Sequence, residues 1–280
     1  MADSVETERL VEVAIEAAHA GAAVLRRFFR HDDLQVHSKG DHDFVTKADH
    51  ESEEAILGVI RSAFPDHHAL AEESGHSEPV QESDGDEYQW IIDPLDGTSN
   101  FLQGVPMFCI SIACRRRGQV MAAVVYEPIR DDLFSAGRGL GAHHNGQAMR
   151  VSERLSLDDA FLATGYPFRA KATLDAYLDC FRAVFLKSRG IRRVGAAALD
   201  LAYTAAGIFD GFFEFRLSPW DIAAGALLVE EAGGKVTDLD GMERYLSSGN
   251  VLAGPPGVHT GLLEVVGGRV SEDLVAELEE

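Results

Sequence analysis

The chain has 280 residues, 46% of them apolar and 25% charged, with a formal net charge of −21. That length and balance suit a globular protein with a sizeable buried core, while the negative charge disfavours nonspecific attachment to nucleic acid or anionic membrane. Three cysteines without CxxC spacing fit small core residues rather than a disulfide framework or a zinc site.

In chain order, the first expected element is a helix over residues 5–30, where Leu10, Val13, Ala14, Ala17, Ala18, Val24 and Leu25 form a stripe at helical spacing. Its acidic start lacks the basic and apolar stretches of a secretory signal, and no later apolar run approaches the roughly 18–20 residues that span a bilayer. A cytoplasmic protein with no membrane and no nucleic-acid partner is the expectation. A second helix is expected from near Asp49 to just before Pro65, burying Ile56, Ile60 and Phe64. His68-Ala69-Leu70-Ala71 reads as a short strand ending at Glu72-Glu73, and residues 74–88 as an acidic surface loop. Gln89-Trp90-Ile91-Ile92 reads as a buried strand that stops at Asp93-Pro94.

Strand-like runs follow at residues 108–115, 120–127 and 132–136, then a turn-rich loop over 137–146. Beyond about residue 152, helical patterns at 170–187, 197–207 and 220–232 alternate with strand-like runs at 161–164, 208–215 and 235–237. This divides the chain into an α+β half, residues 1–155, and an α/β half, residues 156–280. With no Pro/Gly/Ser linker between them, the halves should pack tightly.

The chemistry concentrates in Asp93-Pro94-Leu95-Asp96-Gly97-Thr98-Ser99. A buried strand delivers Asp93 at its carboxyl end, where ligands of α/β sheets gather. Two converging carboxylates repel each other unless a cation lies between them, and oxygen donors select hard ions such as Mg²⁺ or Mn²⁺. Gly97-Thr98-Ser99 offers close backbone approach, free N–H groups and hydroxyls, which suit a phosphate. Other acids have plainer alternatives. Glu72-Glu73 could be solvated unless the strand before them lies beside the one ending at Asp93. Ser218-Pro219-Trp220-Asp221 and Thr46 with Asp49 both fit helix capping boxes, although a carboxylate fixed at a helix start can also hold a metal. Arg115-Arg116-Arg117 reads as a solvated turn, and none of the histidines has ligand spacing.

Taken together, these segments resemble the inositol monophosphatase family. The resemblance is carried by Asp43-Phe44-Val45-Thr46-Lys47-Ala48-Asp49, Ala71-Glu72-Glu73-Ser74, residues 90–101, and Trp220-Asp221 through Gly233-Gly234. Val151-Ser152, residues 162–168 and Gly195-Ala196-Ala197-Ala198 add to it, so that it spans about residues 39–253. It implies a layered αβαβα sandwich of the sugar-phosphatase type, a homodimer, and a small phosphorylated substrate. It also implies two or three Mg²⁺ per site, with Mn²⁺ as an alternative, and sensitivity to Li⁺. By the same resemblance Glu72, Asp93, Asp96, Asp221 and the Leu95 carbonyl would hold metal, and Asp49 and Thr98 would position and activate the attacking water. Gly97, Thr98 and Ser99 would hold the phosphate, while Glu214, Asp96, Asp221 and the backbone of Gly195, Ala196 and Ala197 would meet the alcohol. Ser99 stands where the family often has threonine, which keeps the hydroxyl.

The expected activity is hydrolysis of myo-inositol 1-phosphate or a similar polyol phosphate. Fructose 1,6-bisphosphate, histidinol phosphate and 3′-phosphoadenosine phosphate are the alternative substrates, and a regulatory binding protein on the same fold is the alternative role. A phosphatase with an aspartate nucleophile is disfavoured, because such enzymes place one residue between the two acids and this chain places two, Pro94 and Leu95.

Overall fold

The computed structural model describes residues 2–31, 36–40, 43–74, 88–166 and 173–269. The chain opens with α1 (Ala2–Phe28), the paired β1 (Val36–Gly40) and β2 (Asp43–Thr46), and α2 (Lys47–Ala63). A seven-stranded sheet follows: β3 (His68–Ala71), β4 (Tyr88–Asp96), β5 (Cys109–Arg116), β6 (Gln119–Glu127), β7 (Asp132–Gly137), β8 (Gly141–His144) and β9 (Gln147–Ala148). The short α3 (Thr98–Leu102) leaves β4. β3 and β4 are parallel and every later pair in this sheet is antiparallel.

The rest of the chain comprises β10 (Phe161–Thr164), α4 (Leu174–Phe185), β11 (Gly190–Arg192), α5 (Ala197–Ala205), β12 (Gly211–Glu214) and α6 (Pro219–Glu231). It ends with β13 (Lys235–Thr237), α7 (Tyr245–Ser248), β14 (Val251–Gly254) and α8 (Pro256–Gly267). Its five strands form a mixed sheet in the order β11-β10-β12-β14-β13.

Apolar periodicity explains the layering. α1 and α2 turn Leu10, Ala14, Ala17, Leu25, Ile56 and Ile60 onto one face of the seven-stranded sheet, against Trp90, Ile92, Ile110 and Ile112. The other face, with Ile91, Ala113, Ala123 and Val125, packs on α5 and α6. α6 has buried residues along nearly its whole length, as befits a helix lying between two sheets. Phe212, Val251 and Ala253 of the smaller sheet close this central core from the far side. The sheet's outer face, with Leu162, Phe213 and Leu252, is covered by Tyr177, Cys180 and Val184 of α4 and by Val258 and Leu262 of α8. The result is the expected αβαβα sandwich. No described helix is long and apolar enough to cross a membrane.

Several sequence expectations need correction. β4 does not stop at Asp93-Pro94 but continues to Asp96 through an irregularity: Asp93 pairs with Ser111 and Asp96 with Cys109, three steps against two. Pro94 has no N–H to give the ladder, so the extra residue is absorbed there. The stretch 137–146 is not all loop, since Gly139 and Gly141, both at positive φ, tighten a hairpin between β7 and β8. The expected helices end early, α1 at Phe28 rather than Arg30, α4 at Phe185 rather than Lys187 and α5 at Ala205 rather than Gly207, and the strand expected over 208–215 is only β12, Gly211–Glu214. The acidic loop at 75–87, Pro167-Phe168 and the proposed start of α4 at Ala170 lie outside the described residues.

Candidate active site

The irregularity in β4 sets the geometry of the site. Residues three apart on a regular strand point to opposite faces. One absorbed residue restores the alternation, so Asp93 and Asp96 share a face. Carboxylate oxygens of Asp93, Asp96 and Asp221 all lie within 4.8 Å of one another, and all three residues are buried.

Each acid is held by backbone. The Leu95 N–H donates to Asp93 Oδ1 at 2.9 Å. The Ala198 N–H, at the start of α5, donates to Asp96 Oδ2 at 2.7 Å. The Ser218 N–H donates to Asp221 Oδ2 at 2.8 Å, so the capping geometry expected for α6 also aims this carboxylate. Glu72 follows β3, whose Ala71 lies opposite Ile92 of β4, and its N–H donates to the Ile92 carbonyl at 3.2 Å. The adjacency needed to bring Glu72 beside Asp93 is therefore present.

The electrostatics follow from this crowding. Burial, then Glu72, Asp96 and Asp221 in turn, push the Asp93 carboxyl well above the usual range. Burial and the Asp221 charge push Asp96 up to about 7 against the opposing Ala198 hydrogen bond. Such a cluster of oxygen donors fits a hard divalent cation, which would remove the mutual repulsion.

Beside it lie Asp49 and Thr98. Asp49 Oδ2 accepts from the Thr46 N–H at 2.9 Å and from the Thr46 hydroxyl. Asp49 Oδ1 is turned to the Thr98 hydroxyl at 3.4 Å, which also lies 3.1 Å from the Leu95 carbonyl. Gly97 caps α3 at φ +93°, and a Cβ there would sit 3.0 Å from the Met107 carbonyl. Glycine is therefore favoured by conformation, and a side chain there would also be tight against that carbonyl. α3 has only five residues, so the N–H groups of Gly97, Thr98 and Ser99 matter more than any helix dipole.

The remaining candidates are Gly195, Ala196, Ala197 and Glu214. Gly195, also at φ +93°, precedes Ala196, the cap of α5. Here the geometry narrows the expectation: Ala198 N–H, with the Ala197 backbone, is turned to Asp96. Glu214 ends β12, and a Cβ on Gly165 would fall 1.8 Å from Glu214 Oε1, so its carboxylate lies directly over Gly165.

Several contributors were missed from sequence. Ser52 donates to the Pro94 carbonyl at 3.1 Å, and Glu53 accepts from the Glu73 N–H at 2.8 Å. Both follow Asp49 at i+3 and i+4 on α2, a spacing that marks one helix face and could have revealed them. Asn100 ties the Met107 and Val194 carbonyls together, at 2.7 and 2.9 Å. Asp200, buried with one oxygen unpartnered among the described residues, feels Glu214 and Asp96 and has its carboxyl raised well above normal, chiefly by burial.

A sequence profile of the inositol monophosphatase family matches residues 6–270. The chain belongs to the inositol monophosphatase family. Within this family it is 48% identical over 248 residues to Nus factor SuhB of Pseudomonas aeruginosa, covering 88% of this chain and 91% of that one. The crystal structure of extragenic suppressor protein suhB from Bartonella henselae superposes with a TM-score of 0.86 at 41% identity, covering 92% and 98% of the two chains. Inositol monophosphatase from Anabaena superposes at 0.83 with 38% identity, covering 94% and 96%. These relatives thus carry two kinds of name, inositol monophosphatase on one hand and Nus factor or suppressor protein on the other.

Proposed function

We propose that this family member is a Mg²⁺-dependent phosphomonoesterase acting on a polyol monophosphate such as myo-inositol 1-phosphate. The observation that carries the reading is the buried convergence of Asp93, Asp96 and Asp221, with Asp49 and Thr98 alongside. Asp93, Asp96, Asp221, Glu72 and the Leu95 carbonyl would hold two or three Mg²⁺ or Mn²⁺ ions. When bound, these ions supply positive charge to the phosphoryl oxygens and the leaving group and acidify water.

The chain's own residues do the rest. Thr98 orients the attacking water and passes its proton toward Asp49 Oδ1, leaving Oδ2 pinned by Thr46. The N–H groups of Gly97, Thr98 and Ser99 meet the phosphate. Glu214 accepts from hydroxyls of the alcohol, with Asp96, Asp221 and the Gly195-Ala196-Ala197 backbone completing that side. Positioning and electrostatics then carry most of the rate. A homodimer, as the resemblance implies, belongs to the same reading.

A panel of myo-inositol 1-phosphate, fructose 1,6-bisphosphate, histidinol phosphate and 3′-phosphoadenosine phosphate, compared by kcat/KM with Mg²⁺, tests it. We expect inositol phosphate to lead. Absence of phosphate release from every member would sink the enzymatic reading and favour a second one, a regulatory binding protein, which the name of the 48% identical Nus factor relative supports.

A further inference from the structure

A second cleft lies at the far end of α6 from Asp221. Asp221 and Glu230 are nine residues apart on that helix, about 14 Å along its axis. The cleft has a volume of about 910 Å³ and is walled by Arg117 of the β5–β6 turn, Arg138 after β7, Glu230 of α6, Lys235 of β13, Tyr245 of α7 and His259 of α8. That volume lies within the range of sites that hold metabolites, about 300–1,000 Å³.

Its floor is organised in advance. Arg138 Nη1 pairs with Glu230 Oε2 at 2.7 Å, its Nε donates to the Val120 carbonyl at 3.0 Å, and the Tyr245 hydroxyl donates to Glu230 Oε1 at 2.9 Å. His259, 4% exposed, meets the Thr237 hydroxyl at 2.8 Å, and burial and Lys235 both lower its pKa, so it adds no charge. The cleft's charge is unlike that of the molecule around it. It is lined by three cations, Arg117, Arg138 and Lys235, against two carboxylates, Glu230 and Glu243, in a chain with 25 basic and 46 acidic residues. Glu230 is already engaged by Arg138 and Tyr245, and Lys235 has no ion pair among the described residues. An acidic protein that gathers cations around a concavity creates a local attraction for anions.

We propose that this cleft is a second binding site, separate from the metal cluster, for a small organic anion carrying two or more negative charges. Such an anion reaches Lys235 and Arg117 at the rim, with the Arg138 guanidinium behind them. Carboxylates and phosphate esters share this chemistry, and the test distinguishes them.

The experiment is calorimetric titration of the metal-free protein with malate and, separately, with glycerol 3-phosphate. Without metal the convergent carboxylates of the active-site cluster repel anions, so binding reports on the second cleft whether or not the chain is a phosphatase. One site per chain is expected for at least one probe, and the tighter probe identifies the acidic group. Lys235→Glu and Arg117→Ala should each weaken binding at least tenfold. Arg61→Glu, the same charge reversal on an exposed part of α2, should leave it within twofold. Thermal melts establish that the variants fold, with Lys235→Ala replacing any that does not. The proposal is overturned if neither probe binds at millimolar concentration, or if Arg61→Glu weakens binding as much as Lys235→Glu.

Discussion

A side chain's role in this site depends on what its neighbours leave free. Asp49 has one oxygen taken by Thr46 and one directed at Thr98, and Asp221 has one oxygen taken by its own helix cap. A capping box and a functional carboxylate are therefore compatible at one residue, because the cap engages only one of the two carboxylate oxygens. Gly165 shows the same dependence beside Glu214. With a Cβ position 1.8 Å from Glu214 Oε1, any side chain at residue 165 must displace that carboxylate. Gly165→Ala should raise KM for inositol phosphate by about tenfold, the equivalent of about 1.4 kcal/mol of lost contact. Activity on p-nitrophenyl phosphate, which has no hydroxyls for Glu214 to meet, should change little. Equal losses on both substrates would remove Glu214 from alcohol recognition.

At the scale of elements, α4 carries the clearest unspent apolar surface. Tyr177, Cys180 and Val184 face inward, while Leu174 and Leu178 are 43% and 46% exposed and Phe185 is 56% exposed. These three lie on one outward face at helical spacing, and a second copy of the chain is the partner that the proposed homodimer requires. Leu178→Asp combined with Phe185→Asp should convert a dimer to a monomer in sedimentation velocity. A monomeric starting protein, or an unchanged mass, would remove this face from dimerisation. Elements of this kind, with sustained periodicity, are legible in the sequence, α2 and α6 to within two residues, and the short β3 matches its expected bounds. β10 and β13 match their expected runs as well, whereas β11 and β14 have no counterpart: Gly190-Ile191-Arg192 offers one apolar residue, and β14 runs straight into Gly254-Pro255-Pro256, which reads as a turn. The convergence of Asp93 and Asp96 is equally legible, but not the strand continuing through them, because Pro94 reads as a stop unless an irregularity is known to absorb it. The Ala198 N–H on Asp96 left no signature at all; a backbone donor is independent of its side chain.

For the molecule as a whole, the acidic cluster opposes folding whenever no cation is present. Asp96 rises from 3.8 to about 7 in the folded chain, and Asp93 is raised as well, through burial and neighbouring acids. Between those two values the native state holds protons that the unfolded chain has released. Stability of the metal-free protein should therefore fall as pH rises through that window, the opposite of what a salt-bridged aspartate produces. A divalent cation binds only the deprotonated ligands and cancels their repulsion, so its stabilising effect must grow over the same range. Calorimetric melts should show Tm of the metal-free protein decreasing from pH 5 to pH 8. Saturating Mg²⁺ should raise Tm by several degrees at pH 8 and far less at pH 5. Asp93→Asn, which removes the most crowded charge without changing shape, should flatten the metal-free pH dependence and shrink the Mg²⁺ effect together. If the variant lost its response to Mg²⁺ but kept the wild-type pH dependence, the repulsion would have to lie elsewhere in this highly acidic chain. If both changed, a single cluster at the end of β4 would account for the linkage between metal, protons and folding.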